Sequence, residues 1–280
     1  MTDKNLKYAL LDFDGYICKA FYASRKKSCI NSDPFEILNR LIDASIRKAA
    51  EYYHSEDVKV IAVVSSHSWK KDSYSQYKAT RKKNDELGAF RDKVISTYDC
   101  VKIEQLEADE VILILSSYLD LKKYYCNIVF SDDKDLKYYS SLYCKINIDE
   151  QIQDVATPEN WVNAFAQMLA GDKEDNITGI PKVGMKTALK LIENLKSLPD
   201  VKDIVKIYRD KNILYQDCLD QLAMVIPAGF SIPMSESESI LCEAILNDEY
   251  NCVDSGIVQD IITSTLNKIE ATVKSIYGKD

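Results

Sequence analysis

Four short acidic runs are the parts of this 280-residue sequence with the clearest capacity for chemistry. Asp12 ends an apolar run. Glu107, Asp109 and Glu110 stand in L-E-A-D-E, Asp133 and Asp135 in S-D-D-K-D-L, and Asp172 and Asp175 in G-D-K-E-D-N. Carboxylates that converge in a cleft shut off from water repel one another and cannot all stay ionised. Divalent cations remove that conflict. Mg²⁺ takes oxygen ligands and keeps several waters, so a carboxylate site without His or Cys suits it, and Mn²⁺ accepts the same donors. Two such ions about 3.5–4 Å apart can activate a water and stabilise the leaving oxygen of a phosphodiester. Each run taken singly has an ordinary alternative, because Asp and Glu at strand ends and helix starts commonly act as caps.

The elements around these runs decide whether they can meet. Residues 7–13, 58–65 and 127–131 are short apolar runs that read as buried strands, with a weaker strand expected over 142–148. Between them, Phe35, Ile37, Leu38, Leu41, Ile42 and Ile46 recur at helical spacing, and so do Val111, Ile112, Ile114, Leu115 and Leu119. Strands alternating with helices predict an α/β fold, a central mainly parallel sheet flanked by helices. Ligands of such sheets bind outside the carboxyl ends of the strands, where Asp12, Asp133 and Asp135 fall. Beyond about residue 150 the strands are expected to stop. Thr157 and Pro158 form a helix start and Gly171 a stop, a glycine-punctuated turn follows at 179–184, and a helix is expected over 185–196. The expected division is 1–150 for the α/β part and 151–280 for a helical part, joined in one compact body.

Composition sets the bounds. Hydrophobic residues make up 46% of the chain, enough for a sizeable core. No run approaches the roughly 18 apolar residues of a membrane span, and the first residues lack the apolar core of a signal peptide. A soluble, cytoplasmic protein without membrane contact is expected. Eight cysteines without C-x-x-C spacing and two histidines argue for reduced thiols rather than a zinc site. The net charge of −8 disfavours a nucleic-acid partner at first sight. Setting the eight candidate ligands aside leaves a neutral remainder with basic strips at Arg25 to Lys27, Lys70–Lys71, Lys78 to Lys83 and Lys182 to Lys190.

Taken in order, L-L-D-F-D-G-Y-I-C-K, Y-K-A-T-R, L-E-A-D-E, S-D-D-K-D-L and G-D-K-E-D-N-I-T-G-I-P-K-V-G-M-K-T-A resemble the flap endonuclease / 5′-to-3′ exonuclease family, in particular its phage and bacterial members. The resemblance runs from Leu10 to about Glu193. It implies a 5′ nuclease (PIN-like) fold and a structure-specific 5′ nuclease that hydrolyses phosphodiesters near 5′ ends of DNA or RNA–DNA duplexes, in primer or flap removal, by a two-metal mechanism. It implies Asp12, Glu107, Asp109, Glu110, Asp133, Asp135, Asp172 and Asp175 as ligands of two Mg²⁺ or Mn²⁺ ions. Lys19 is implied as a DNA contact seven residues after Asp12, and Lys78 and Arg81 as cations at the scissile phosphate. Tyr77 is assigned either to stacking on a terminal base or to core packing. The segment 176–196 resembles a helix–hairpin–helix that grips a duplex backbone through Gly179, Lys182, Gly184 and Lys186 and holds K⁺ on its carbonyl oxygens.

Two departures from the family pattern stand out. Where the family carries a further acidic ligand at the end of the second strand, this chain reads Val64-Ser65-Ser66-His67. That substitution leaves a second reading open, a catalytically weakened or inactive member that binds branched DNA. The arch region, 82–105, has room for a short helix over 85–97, so exonuclease action at nicks, gaps or duplex ends is expected without long flaps. A monomer is expected, with replication proteins as further partners.

Overall fold

The computed structural model describes residues 6–26, 32–122, 125–195, 199–228 and 234–278. Lys27 of the first basic strip, Cys29 and the last residue of the helix expected over 185–196 lie outside them.

The sheet is built on β1 (Leu6–Asp12), whose middle residues are buried on both faces. An apolar run is what such a position demands. Parallel partners flank it, β2 (Val58–Val63) and β3 (Tyr125–Phe130), with Asp12 opposite Val63 and Leu11 opposite Phe130. β4 (Leu142–Cys144) adds in parallel to β3, and β5 (Gln153–Asp154) pairs antiparallel to β4. The five-stranded order is β2-β1-β3-β4-β5. The parallel strands end on one edge, and Asp12, Ser65 and Ser131 follow from there. β5 corrects the expectation that strands stop near 150: Val155 carries the pairing one step further by donating to the Ser141 carbonyl.

Helices cover both faces. On one side lie α1 (Phe13–Ser24), α2 (Pro34–Tyr53) and α4 (Asp85–Thr97). Leu11, Phe13, Phe21, Phe90, Val94 and Phe130 make the core there. α3 (Trp69–Ser73) follows β2. On the other side α5 (Ala108–Leu121) packs Ile112 and Leu115 against Leu10 and Val129. Its start has a physical cause: Glu107 and Glu110 form a reciprocal capping box that satisfies amides the first turn leaves open.

α6 (Lys134–Tyr139) begins at the Asp133 cap. α7 (Pro158–Ala170) has Thr157 as cap and Gly171 as stop, as the sequence predicts. After it come α8 (Met185–Glu193), α9 (Val201–Asp210), α10 (Tyr215–Val225), α11 (Glu236–Leu246) and α12 (Ser255–Tyr277). Leu169, Ile180, Ile204, Tyr208 and Leu222 form a second core among the first of these helices. α12 belongs to both: Val258, Ile261 and Ile262 lie in the sheet core, Ile269, Val273 and Ile276 in the helical one. Each such side chain contributes about 1.5–3 kcal/mol by leaving water. Among the described residues no helix is long and apolar enough to cross a membrane.

Candidate active site

The carboxyl edge of the sheet brings most of the acidic runs to one cleft. Asp12 ends β1 and caps α1. Its Oδ2 accepts from Ser131 Oγ at 2.6 Å, and the same Oγ accepts from the Asp133 amide at 2.9 Å. Burial pushes the Asp12 carboxyl up to about 7; the Ser131 hydroxyl opposes this, while Asp14 and Asp133 add to it. Asp133 caps α6 by accepting from the Asp135 amide at 2.8 Å. Asp135 is likewise pushed up to about 7, by burial first and by Asp133 second. Its Oδ2 accepts from Gln167 Nε2 at 3.3 Å, whereas its buried Oδ1 has no protein partner.

Gln167, on α7, also donates to Asp172 Oδ2 at 3.0 Å, so one amide bridges two of the acidic runs. Asp172 is withdrawn from solvent, which alone would raise its carboxyl; Lys134, at 2.9 Å, outweighs that and holds it below the usual range. The turn carrying Asp172 and Asp175 is fixed by backbone geometry. Gly171 and Gly179 both have positive φ, and a Cβ on either would meet backbone of the other segment well inside the 3.0 Å that real Cβ atoms respect. Asp172 and Ile177 bridge across the turn.

On the opposite wall, Lys78 lies between Glu107 and Asp175, with Nζ 2.6 Å from Glu107 Oε1 and 3.7 Å from Asp175 Oδ2. Its backbone has φ of 53°, a conformation that costs a non-glycine residue about 1–3 kcal/mol. The Lys78 amide donates to the Asp175 carbonyl at 2.9 Å, which offsets that strain. Arg81 pairs with the other Asp175 oxygen. Burial would raise Glu107, but Lys78 and Lys70 overcome it and keep the group low. At Asp109 burial and then repulsion from Glu107 outweigh Lys78 and Lys70 and raise it well above the usual carboxylate range.

Lys70, Asp109, Asp135, Asp172 and Asp175 share one cavity. Its oxygen donors, the orphaned Asp135 Oδ1 and the raised carboxyls fit hard divalent cations. Lys78, Lys134 and Gln167 stand among the carboxylates, and among the described residues no group of three or more His, Cys, Asp or Glu is drawn together tightly enough to hold an ion.

Several sequence-predicted residues are placed elsewhere. Glu110 is fully buried, and its oxygens accept from the Glu107 amide, Trp69 Nε1 and the Ala228 amide at 3.2–3.3 Å, with Lys70 Nζ at 3.2 Å. The capping box turns it into the core rather than the cleft. Tyr77 is 4% exposed, packs with Ile177 and Met224, and donates to Glu107 Oε2 at 2.7 Å, so of its two assignments the core one matches this placement. Lys19 is tied to Asp132 at 2.8 Å and to the Ile146 carbonyl. In the hairpin, Lys182, Gly184 and Lys186 are exposed, but Gly179 is buried and its amide donates to Gln221 at 3.1 Å. Sequence reasoning missed Gln167, Ser131 and the Lys70–Glu110 pair. Ser131 opens the S-D-D-K-D-L motif and so carried a signal; Gln167 carried none.

A cleft of carboxylates crossed by lysines, at the carboxyl edge of a parallel sheet, is a place for a polyanion and its cations. The chain belongs to the 5′-3′ exonuclease family: residues 7–165 match its N-terminal resolvase-like domain, and the chain is accordingly a nuclease. Two bacterial relatives, both called 5′-3′ exonuclease, come from Mycoplasmopsis pulmonis and Buchnera aphidicola. The first is 25% identical, over 88% of this chain and 89% of its own; the second is 26% identical, over 71% and 70%. Among solved structures, the T5 5′-exonuclease with bound divalent zinc ions is similar in fold, with a TM-score of 0.57 at 14% identity over 94% of this chain and 99% of its own.

Proposed function

We propose that this nuclease removes nucleotides from 5′ ends, nicks or short flaps of DNA and RNA–DNA duplexes, with two Mg²⁺ ions held by Asp12, Glu107, Asp109, Asp133, Asp135, Asp172 and Asp175. The observation that carries this reading is the unpartnered, buried Asp135 Oδ1 among carboxyls raised by burial and mutual repulsion. When bound, such ions supply the positive charge that makes water nucleophilic and offsets charge on the leaving oxygen. The new bond joins water oxygen to phosphorus; the bond to the 3′ oxygen breaks, that oxygen takes a proton, and the downstream strand keeps a 5′-phosphate.

The chain's own residues orient and balance. Lys78 and Arg81 face the scissile phosphate and neutralise its developing charge. Gln167 and Ser131 hold the carboxylates in register. Glu110 serves the scaffold. Residues 1–150 carry most of the chemistry, while 151–280 add Gln167, Asp172 and Asp175 to the site and supply the duplex grip. There Lys182 and Lys186 take phosphates at the start of α8, and hairpin carbonyls hold K⁺. The protein works as a monomer in the cytoplasm, beside replication proteins.

The test is a 5′-labelled nicked duplex with Mg²⁺ or Mn²⁺ against EDTA, with Asp133→Ala beside the wild type. Release of short 5′ products that needs metal and is lost in the variant supports the reading. Salt-sensitive binding of branched DNA without cleavage in either metal would instead favour the inactive binder.

A further inference from the structure

A second cavity, of about 500 Å³, is lined by Lys78 and Glu107 and neighbours the acidic one, whose Asp175 lies 3.7 Å from Lys78 Nζ. Its volume falls in the range of about 300–1,000 Å³ typical of small-ligand sites. Its lining has the opposite electrical character: Lys71, Lys78, Arg81, Arg91 and Lys102 contribute cations, with His67 beside them. The carboxylates in the same wall are already balanced, Glu107 by Lys78 and Asp14 by Arg91 Nε at 2.6 Å.

The chemistry of this wall follows from the departure at the end of β2. Ser65 stands there, its amide donating to Asp14 Oδ2 at 2.7 Å and its carbonyl accepting from Arg91 Nη2 at 2.6 Å. A guanidinium therefore occupies the neighbourhood of this strand end. α4, which carries Arg91 and Leu87, is fixed in place: Phe90 packs edge-on to Phe35 with ring centroids 5.2 Å apart, and Glu86 pairs with Arg25 at 2.7 Å. The short arch helix thus forms a wall of the cavity.

We propose that this basic cavity is a binding site for the terminal phosphate monoester of a 5′-phosphorylated strand, so that the enzyme selects 5′-phosphate over 5′-hydroxyl ends. The inference rests on the nuclease reading, in which Lys78 and Arg81 hold the scissile phosphate. Both line the basic cavity and both reach Asp175, which lines the acidic one, so in this proposal a strand held by them sends its 5′ side into the basic cavity. A monoester carries about −1.5 to −2 charge and three acceptor oxygens, where an internal diester carries one charge. Cations gathered from α3, α4 and the segment before α5 match that surplus.

The experiment compares two nicked duplexes, identical except for a 5′-phosphate or a 5′-hydroxyl at the nick. Binding is measured by fluorescence anisotropy in EDTA and cleavage in Mg²⁺, for wild type and for Lys71→Gln/Lys102→Gln. Both lysines are exposed, so the fold tolerates the exchange. The expected result is about tenfold or greater preference for the phosphorylated end, the factor one charge-assisted hydrogen bond supplies, falling toward unity in the variant. Equal binding and cleavage of the two ends by wild type overturns the inference and leaves the nuclease reading standing. Absence of cleavage at both ends overturns the nuclease reading, and the binding ratio still decides the cavity. Binding of inorganic phosphate, with both duplex ends treated alike, would mark a free-anion site and also overturns it.

Discussion

Lys78 and Glu107 pair in the wall of the basic cavity, with Nζ 2.6 Å from Oε1 and both side chains largely withdrawn from solvent, and Lys78 also reaches Asp175 of the acidic one. A cation in that position faces carboxylates on one side and, in our reading, phosphate on the other. The strained backbone of Lys78 fits this role, because a residue held in an uncommon conformation keeps its side chain aimed.

Lys78→Ala is expected to lower the single-turnover cleavage rate by about 10²–10³-fold, the range typical when one preorganised electrostatic contact is removed. Duplex affinity in EDTA should change far less. Quench-flow on a nicked duplex reads the rate; a rate within threefold of wild type would remove Lys78 from the reaction.

Gln167 bridges Asp135 and Asp172 without being a ligand candidate. Gln167→Leu is therefore expected to raise the Mg²⁺ concentration needed for half-maximal activity by about 10–100-fold, as loss of outer-shell partners does. Cleavage followed across a Mg²⁺ titration measures it. An unchanged midpoint with a reduced plateau would mean that the amide acts on the substrate and not on the carboxylates.

Glu110 and Lys70 should behave as a structural pair. Lys70→Met leaves a fully buried carboxylate with its cation removed and is expected to destabilise the fold by about 3–5 kcal/mol in urea unfolding. Replacing both, Lys70→Met/Glu110→Leu, should recover part of that loss. If both variants unfold at the wild-type midpoint, the pair has no structural weight.

The two glycines of the turn differ from the third. Gly179→Ala combines a positive φ with a backbone clash and should lower stability by about 2 kcal/mol or more. Gly184→Ala meets nothing within 4 Å and should shift the melting temperature little. Equal thermal shifts would contradict the close approach.

Much of this molecule was legible before any coordinates. The apolar run ending at Asp12 declared a buried strand, and Thr157 with Gly171 bounded α7 correctly. Parallel topology then required the strand-end acids to share an edge. What stayed hidden depends on direction rather than type. In L-E-A-D-E each acid has ligand chemistry, yet residues three apart at a helix start can also cap it, and that geometry turned Glu110 inward. Tyr77 offered either stacking or packing, and only tertiary contacts decide between them. Gln167 lies mid-helix among apolar neighbours, where its type announces nothing. β5 is two residues long, too short for a periodic signal.

The meeting of Gly171 with Gly179 has a mechanical meaning. The loop bearing Asp172 and Asp175 and the hairpin bearing Lys182 touch through main chain, with no side chain between them to yield. Such a joint transmits displacement instead of absorbing it. In our reading, a duplex seated on the hairpin would then stand at a set offset from the acidic cleft, and where along the strand the cut falls would be gauged by backbone alone.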